Sequence, residues 1–217
     1  MGQKLRLSMV LTACVALIAL AQPALANHSL PPTPEFWDCN VDHIADDTCV
    51  KPHRAGAPWS VEAATRFAAV DDIWRNNTDF DPVENTSSGQ NVYRDRLASC
   101  ISNWLQPGGN LIVAVVCRTH VWDPIGEWWR LTNTPTYFNN RMPDYGLAWY
   151  YGAGLPPNQN QVHFGGVAVH EMGHWVLLID LPCYPGETMC GGLAGPQDSL
   201  DLYSLSADDI SAANAVY

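Results

Sequence analysis

The sequence predicts a mixed α/β (α+β) domain, and three features of its patterning carry that expectation. Two segments, 60–75 and 167–178, space their apolar residues at a helical period. Between them, Leu111-Ile112-Val113-Ala114-Val115-Val116 is an unbroken apolar run of buried-strand length, set off by the turn Pro107-Gly108-Gly109-Asn110. Shorter aromatic and apolar runs follow at Thr136-Tyr137-Phe138 and at 147–151. At 217 residues, 47% apolar and 15% charged, the chain can bury one real core and is not a disordered tail.

The first 26 residues read as an export signal. Lys4 and Arg6 precede an apolar stretch from Leu7 to Leu20, and Ala24-Leu25-Ala26 offers small residues where a signal peptidase reads them, so cleavage is expected after Ala26. Two alternatives stand beside it. Leu11-Thr12-Ala13-Cys14 resembles a lipoprotein box, although the apolar run continues well past Cys14. An uncleaved segment of about 20 apolar residues could also anchor in a bilayer, against which Pro23 and the Ala-Leu-Ala site speak. The expected location is extracellular, without stable membrane insertion after processing. Loss of the leader removes Lys4 and Arg6 and no acid, leaving 9 basic against 22 acidic residues. That balance excludes a nucleic-acid partner, because phosphates need a basic surface.

Six cysteines remain: Cys39, Cys49, Cys100, Cys117, Cys183 and Cys190. An even set in an exported chain points to disulfides, and six cysteines allow about 15 pairings. Proximity favours Cys39–Cys49, Cys100–Cys117 and Cys183–Cys190.

Taken in order, residues 27–57 are Pro-rich and expected to be irregular, an N-terminal extension or short pro-segment ahead of a domain spanning 58–217. Ser60 can cap a helix to Arg75 whose Val61, Ala64, Phe67, Ala68 and Ile73 fall near one face. Residues 76–90 form a polar loop, and 92–104 show no clear period. Two or three short strands are expected between 118 and 161. Gly165-Gly166 is expected to end a loop before the apolar helix that starts at Val167. A Pro/Gly/Cys loop runs to Tyr203. Ser206 then caps a terminal helix, with Asp209 at its third position and Leu205 and Ile210 placed for a hydrophobic staple.

The chemistry concentrates in His170-Glu171-Met172-Gly173-His174. Four residues apart on a helix, His170 and His174 share a face about one turn apart, where both imidazoles can bind one metal. Imidazole nitrogen suits Zn²⁺, and two helical ligands leave room for a third residue and a water. Glu171, beside that face, can take a proton from water and later deliver it to a leaving amine. Two residues compete to be the third ligand: Asp180, six beyond His174, and Glu187.

The run from His170 to Asp180 resembles the extended metzincin pattern, with Asp180 at the third-ligand position. One departure is Leu177, where that pattern carries glycine so that the chain can turn through a left-handed conformation. Met189 sits where a Met-turn belongs, and Leu205-Ser206-Ala207-Asp208-Asp209-Ile210 is similar to the closing helix of matrixins. Trp149-Tyr150-Tyr151-Gly152, after Phe138-Asn139, resembles the approach to the zinc helix in bacterial matrixin-like proteins. The likeness covers roughly 58–217 and is specific from about Val167 onward.

This resemblance implies a metzincin-like domain: a twisted, mostly parallel sheet, an active-site helix and a small C-terminal subdomain. It implies a secreted, monomeric zinc endopeptidase acting on protein or peptide, with one catalytic Zn²⁺ on His170, His174 and Asp180. Glu171 is then the general base, Met189 an apolar floor, and Cys183–Cys190 a brace for the loop between them. Calcium is compatible with the family but has no assignable ligands here.

His163 is expected to be a polar loop histidine rather than a ligand, and most of the nine tryptophans to be core anchors. Two other functional classes stay open. One is a catalytically degenerate fold serving as an extracellular interaction module. The other is an exported glycan-binding protein with a structural zinc.

Overall fold

A computed structural model describes residues 35–43, 49–56, 58–82, 84–85, 89–180, 188–189 and 203–215. The architecture is mixed α/β, with a mostly parallel main sheet and few helices. Four strands build that sheet in the order β2, β3, β7, β4: β2 (Pro52–Arg54), β3 (Gln90–Tyr93), β4 (Ala114–Val116) and β7 (Thr136–Phe138). The pairs β2–β3 and β3–β7 are parallel, and β4 is antiparallel to β7. A second sheet joins β1 (Glu35–Trp37), β6 (Trp128–Asn133) and β5 (Thr119–Asp123) in that order. The short parallel pair β8 (Ala148–Tyr150) and β9 (Gln161–His163) leads directly into the central helix.

Helix α1 (Val61–Asn77) begins where expected, with the Ser60 hydroxyl accepting from the Ala63 amide at 3.2 Å. Its buried face, Ala63, Phe67, Val70 and Trp74, packs on α2 (Phe164–Gly173). The Trp74 indole donates to the Val169 carbonyl at 3.1 Å, fixing the two helices in register. Trp37 and Trp175 tie the sheets to the same core: Trp37 donates to the Trp175 carbonyl, and Trp175 to the Thr136 hydroxyl. Each fully buried large side chain contributes about 1.5–3 kcal/mol, so this shared core dominates stability. Among the described residues, no helix is long and apolar enough to cross a membrane.

Several elements differ from expectation. Within the segment expected to be irregular, 35–37 and 52–54 form strands that join both larger sheets. The apolar run 111–116 is a strand only from Ala114, with Leu111 bridging back to Leu105. The hairpin of β5 and β6 escaped the pattern because β5 is exposed at four of its five positions, which erases alternation. Gly165 and Gly166 lie inside α2 rather than before it. A Cβ at Gly165 would come within 2.5 Å of the Tyr203 ring and 2.7 Å of Arg66, so glycine is needed there for close packing.

Two disulfides form as proximity suggested, Cys39–Cys49 and Cys100–Cys117. Cys183, Cys190 and the leader fall outside the described residues.

His163 is no loop residue. It is fully buried and caps α2: its Nδ1 accepts from the Gly166 amide at 2.9 Å, while Nε2–H donates to the Gly152 carbonyl at 2.9 Å. Burial lowers its pKa from 6.5 to about 4. The unfolded ring therefore takes up a proton first as pH falls. The resulting stability is complete above about pH 6.5 and is lost toward about pH 4, on the order of 3 kcal/mol. In His163→Asn, which keeps a capping acceptor but cannot titrate, the gap in urea midpoint from wild type should narrow as pH drops from neutral to about 4.5. A constant gap would contradict this assignment.

Candidate metal centre

Helix α2 carries His170 and Glu171 on its last full turn and ends at Gly173. His174 opens a 3-10 turn, His174–Val176, that tightens the helix end. Leu177 then adopts φ 71°, ψ 4°, the left-handed conformation that favours glycine. The Leu178 amide donates to the Gly173 carbonyl at 3.1 Å and the Leu177 amide to that of His174 at 3.4 Å. This pair of bonds is a Schellman closure, with leucine where glycine is usual. Leu177 is 1% exposed, so burial of its side chain offsets a backbone cost of about 1–2 kcal/mol.

The reversal returns Asp180 toward the helix. Its Oδ1 lies 3.2 Å from His170 Nε2 and 3.4 Å from His174 Nε2. The two imidazoles stand nearly perpendicular, at 86°, with ring centres 4.9 Å apart. Each ring is oriented from behind. His170 Nδ1–H donates to the Thr188 carbonyl and His174 Nδ1–H to that of Leu178, both at 2.7 Å. These bonds place the proton of a neutral ring on Nδ1 and leave the Nε2 lone pair facing Asp180. Two lone pairs and a carboxylate oxygen thus converge on one point, an arrangement that needs a shared proton or a cation between them.

Thr188 is itself held. Its amide donates to Asp209 Oδ2 at 3.3 Å, and its hydroxyl donates to the Ser204 carbonyl. Asp209 belongs to α3 (Ala207–Asn214), where it completes a capping box with Ser206, the closure read from the sequence. Met189 is fully buried beneath α2, with its sulfur so close to Gly173 that a Cβ there would collide with it. The glycine between the two histidines therefore makes room for the Met189 side chain.

No protein-family model matches this chain, and no curated protein does.

Glu171 is 5% exposed, and its Oε2 is buried without a hydrogen-bond partner among the described residues. Burial raises its pKa, against the opposing pull of His170 and His174. Hydrogen bonding to His170 and His174, wherever a proton occupies the shared point, holds Asp180 far below the usual carboxylate range. Burial alone would lower the His170 pKa, but Asp180, Glu171 and the Thr188 carbonyl outweigh it and raise the value.

The residue set read from the sequence, His170, His174 and Asp180, is thus brought together, with Glu171 next to it in sequence and Met189 packed against Gly173 of the same helix. Glu187, the competing third ligand, lies outside the described residues. The supporting Thr188 and Leu178 carbonyls escaped sequence reading, because backbone carbonyls leave no sequence signature, and Asp209 was read as a helix cap but not as the group that holds Thr188. His163, seven residues before His170, caps the opposite end of the helix.

Proposed function

We propose that this chain is an extracellular zinc-dependent endopeptidase of metzincin-like, matrixin-related type, with protein or peptide as substrate. One observation carries the reading: the convergence of two imidazole nitrogens and a carboxylate oxygen at 3.2 and 3.4 Å. Zinc bonds of about 2.0–2.1 Å at tetrahedral angles separate ligand atoms by about 3.3–3.4 Å, which the two distances from Asp180 to the imidazoles match. A zinc ion held by His170, His174 and Asp180 supplies Lewis acidity toward a scissile carbonyl and acidifies water.

The chain's own groups account for the remaining chemistry. Glu171 accepts the proton of the attacking water and returns it to the departing amine. Its burial close enough to His170, His174 and Asp180 for their charges to act on it supports this role. Thr188 and Leu178 hold the rings through their carbonyls, which fixes ring tilt and raises the basicity of Nε2. Leu177 does not count against activity, because it takes the backbone conformation that glycine would supply.

Casein hydrolysis by the purified chain should stop with a zinc chelator and return on adding back zinc. Tight zinc binding with no hydrolysis of casein or of unfolded peptides would favour the interaction-module reading instead. Retention on polysaccharide, again without hydrolysis, would favour the glycan-binding one.

A further inference from the structure

A second group of metal-type donors lies apart from the first. Asp38 follows β1, His43 lies five residues on, and Asp123 closes β5. One donor atom from each falls within 4.8 Å of the other two. Both carboxylates are 5% exposed, burial that is costly for a charge without a counter-charge. His43 Nδ1 stands 2.7 Å from Asp123 Oδ2, whereas Asp38 has no salt-bridge partner among the described residues. Buried carboxylates in this number, facing one imidazole, leave negative charge that a neutral histidine cannot balance.

The surrounding backbone orients the donors. The Asp38 oxygens accept from the Asp42 and His43 amides, both at 3.1 Å. Asp123 Oδ1 accepts from the Ile125 and Gly126 amides at 2.9 and 3.2 Å. That leaves Asp123 Oδ2 directed at His43. The loop carrying Asp38 and His43 is closed by Cys39–Cys49 and takes left-handed φ at Val41 and His43, which brings the imidazole back over Asp123.

We propose that Asp38, His43 and Asp123 form a second, structural site for a zinc-class divalent cation. The imidazole donor favours zinc over calcium, which takes oxygen ligands. Occupancy shifts the proton of the neutral His43 ring from Nδ1 to Nε2, so that Nδ1 and the Asp123 carboxylate both face the cation, and widens that pair from 2.7 Å to about 3.3 Å. A swing of the half-exposed His43 ring supplies the difference.

The test uses the full chain with its disulfides intact and with His170→Ala and His174→Ala together, so that the first cluster cannot contribute. Equilibrium dialysis against zinc should leave one bound equivalent, and calcium should not compete for it. Adding His43→Gly, which suits the left-handed backbone while deleting the ligand, should weaken that binding at least ten-fold, as should Asp123→Asn. Should Asp123→Asn fail to fold, because Asp123 also caps its turn, His43→Gly decides alone. A folded double-alanine chain that binds no zinc, or whose binding His43→Gly leaves unchanged, would overturn the second site without touching the reading of the first.

Discussion

Glu171→Gln is expected to lower the kcat/KM of peptide hydrolysis by about 10²–10⁴-fold while zinc stoichiometry stays unchanged. Glutamine keeps the shape of the side chain and its fit beside α2, but it cannot accept a proton. The loss should fall mainly on kcat, because a general base acts on the proton in flight and not on substrate docking. The variant should also fold at least as stably as wild type. Glu171 is almost fully buried with an unpartnered oxygen, and a neutral amide is cheaper to bury than a carboxylate. Equal rates in variant and wild type would remove Glu171 from the chemistry.

The second large effect is at Leu177. Leu177→Ala removes a buried side chain but keeps the left-handed backbone, and should cost about 2–5 kcal/mol in urea unfolding. Leu177→Gly removes one carbon more, yet relieves a conformational cost of about 1–2 kcal/mol. It should therefore be no less stable than Leu177→Ala, a reversal of the usual order in a core. Were glycine clearly the worse of the two, the left-handed turn would not be the source of strain at this position. Both variants should also weaken zinc binding, since the turn at Leu177 presents the Leu178 carbonyl to His174 and returns Asp180 to the rings.

The same position shows how far sequence reasoning reached. The spacing of His170 and His174 located the donor face, and their distance to Asp180 matched the turn that a glycine would have signalled. Leucine hid that turn, because side-chain type reports backbone conformation only statistically, and here packing overrides it. The helix caps at Ser60 and Ser206 were legible because each is a local bond between near neighbours. His163 was misread for the opposite reason. Its burial depends on Tyr203 and on the Gly152 carbonyl, contacts that no local window contains. Likewise β1 and β2 look irregular by composition, and become strands only through parallel pairing with distant β6 and β3.

The chain of bonds from His170 through Thr188 to Asp209 has a temporal consequence. Translation delivers both imidazoles well before the residues that fix one of them in place. Until Asp209 has emerged and its helix has docked, the carbonyl that orients His170 is not held in place, whereas His174 already has its local partner at Leu178. The backing of His170 is thus incomplete in a chain still being made until its last helix has been added.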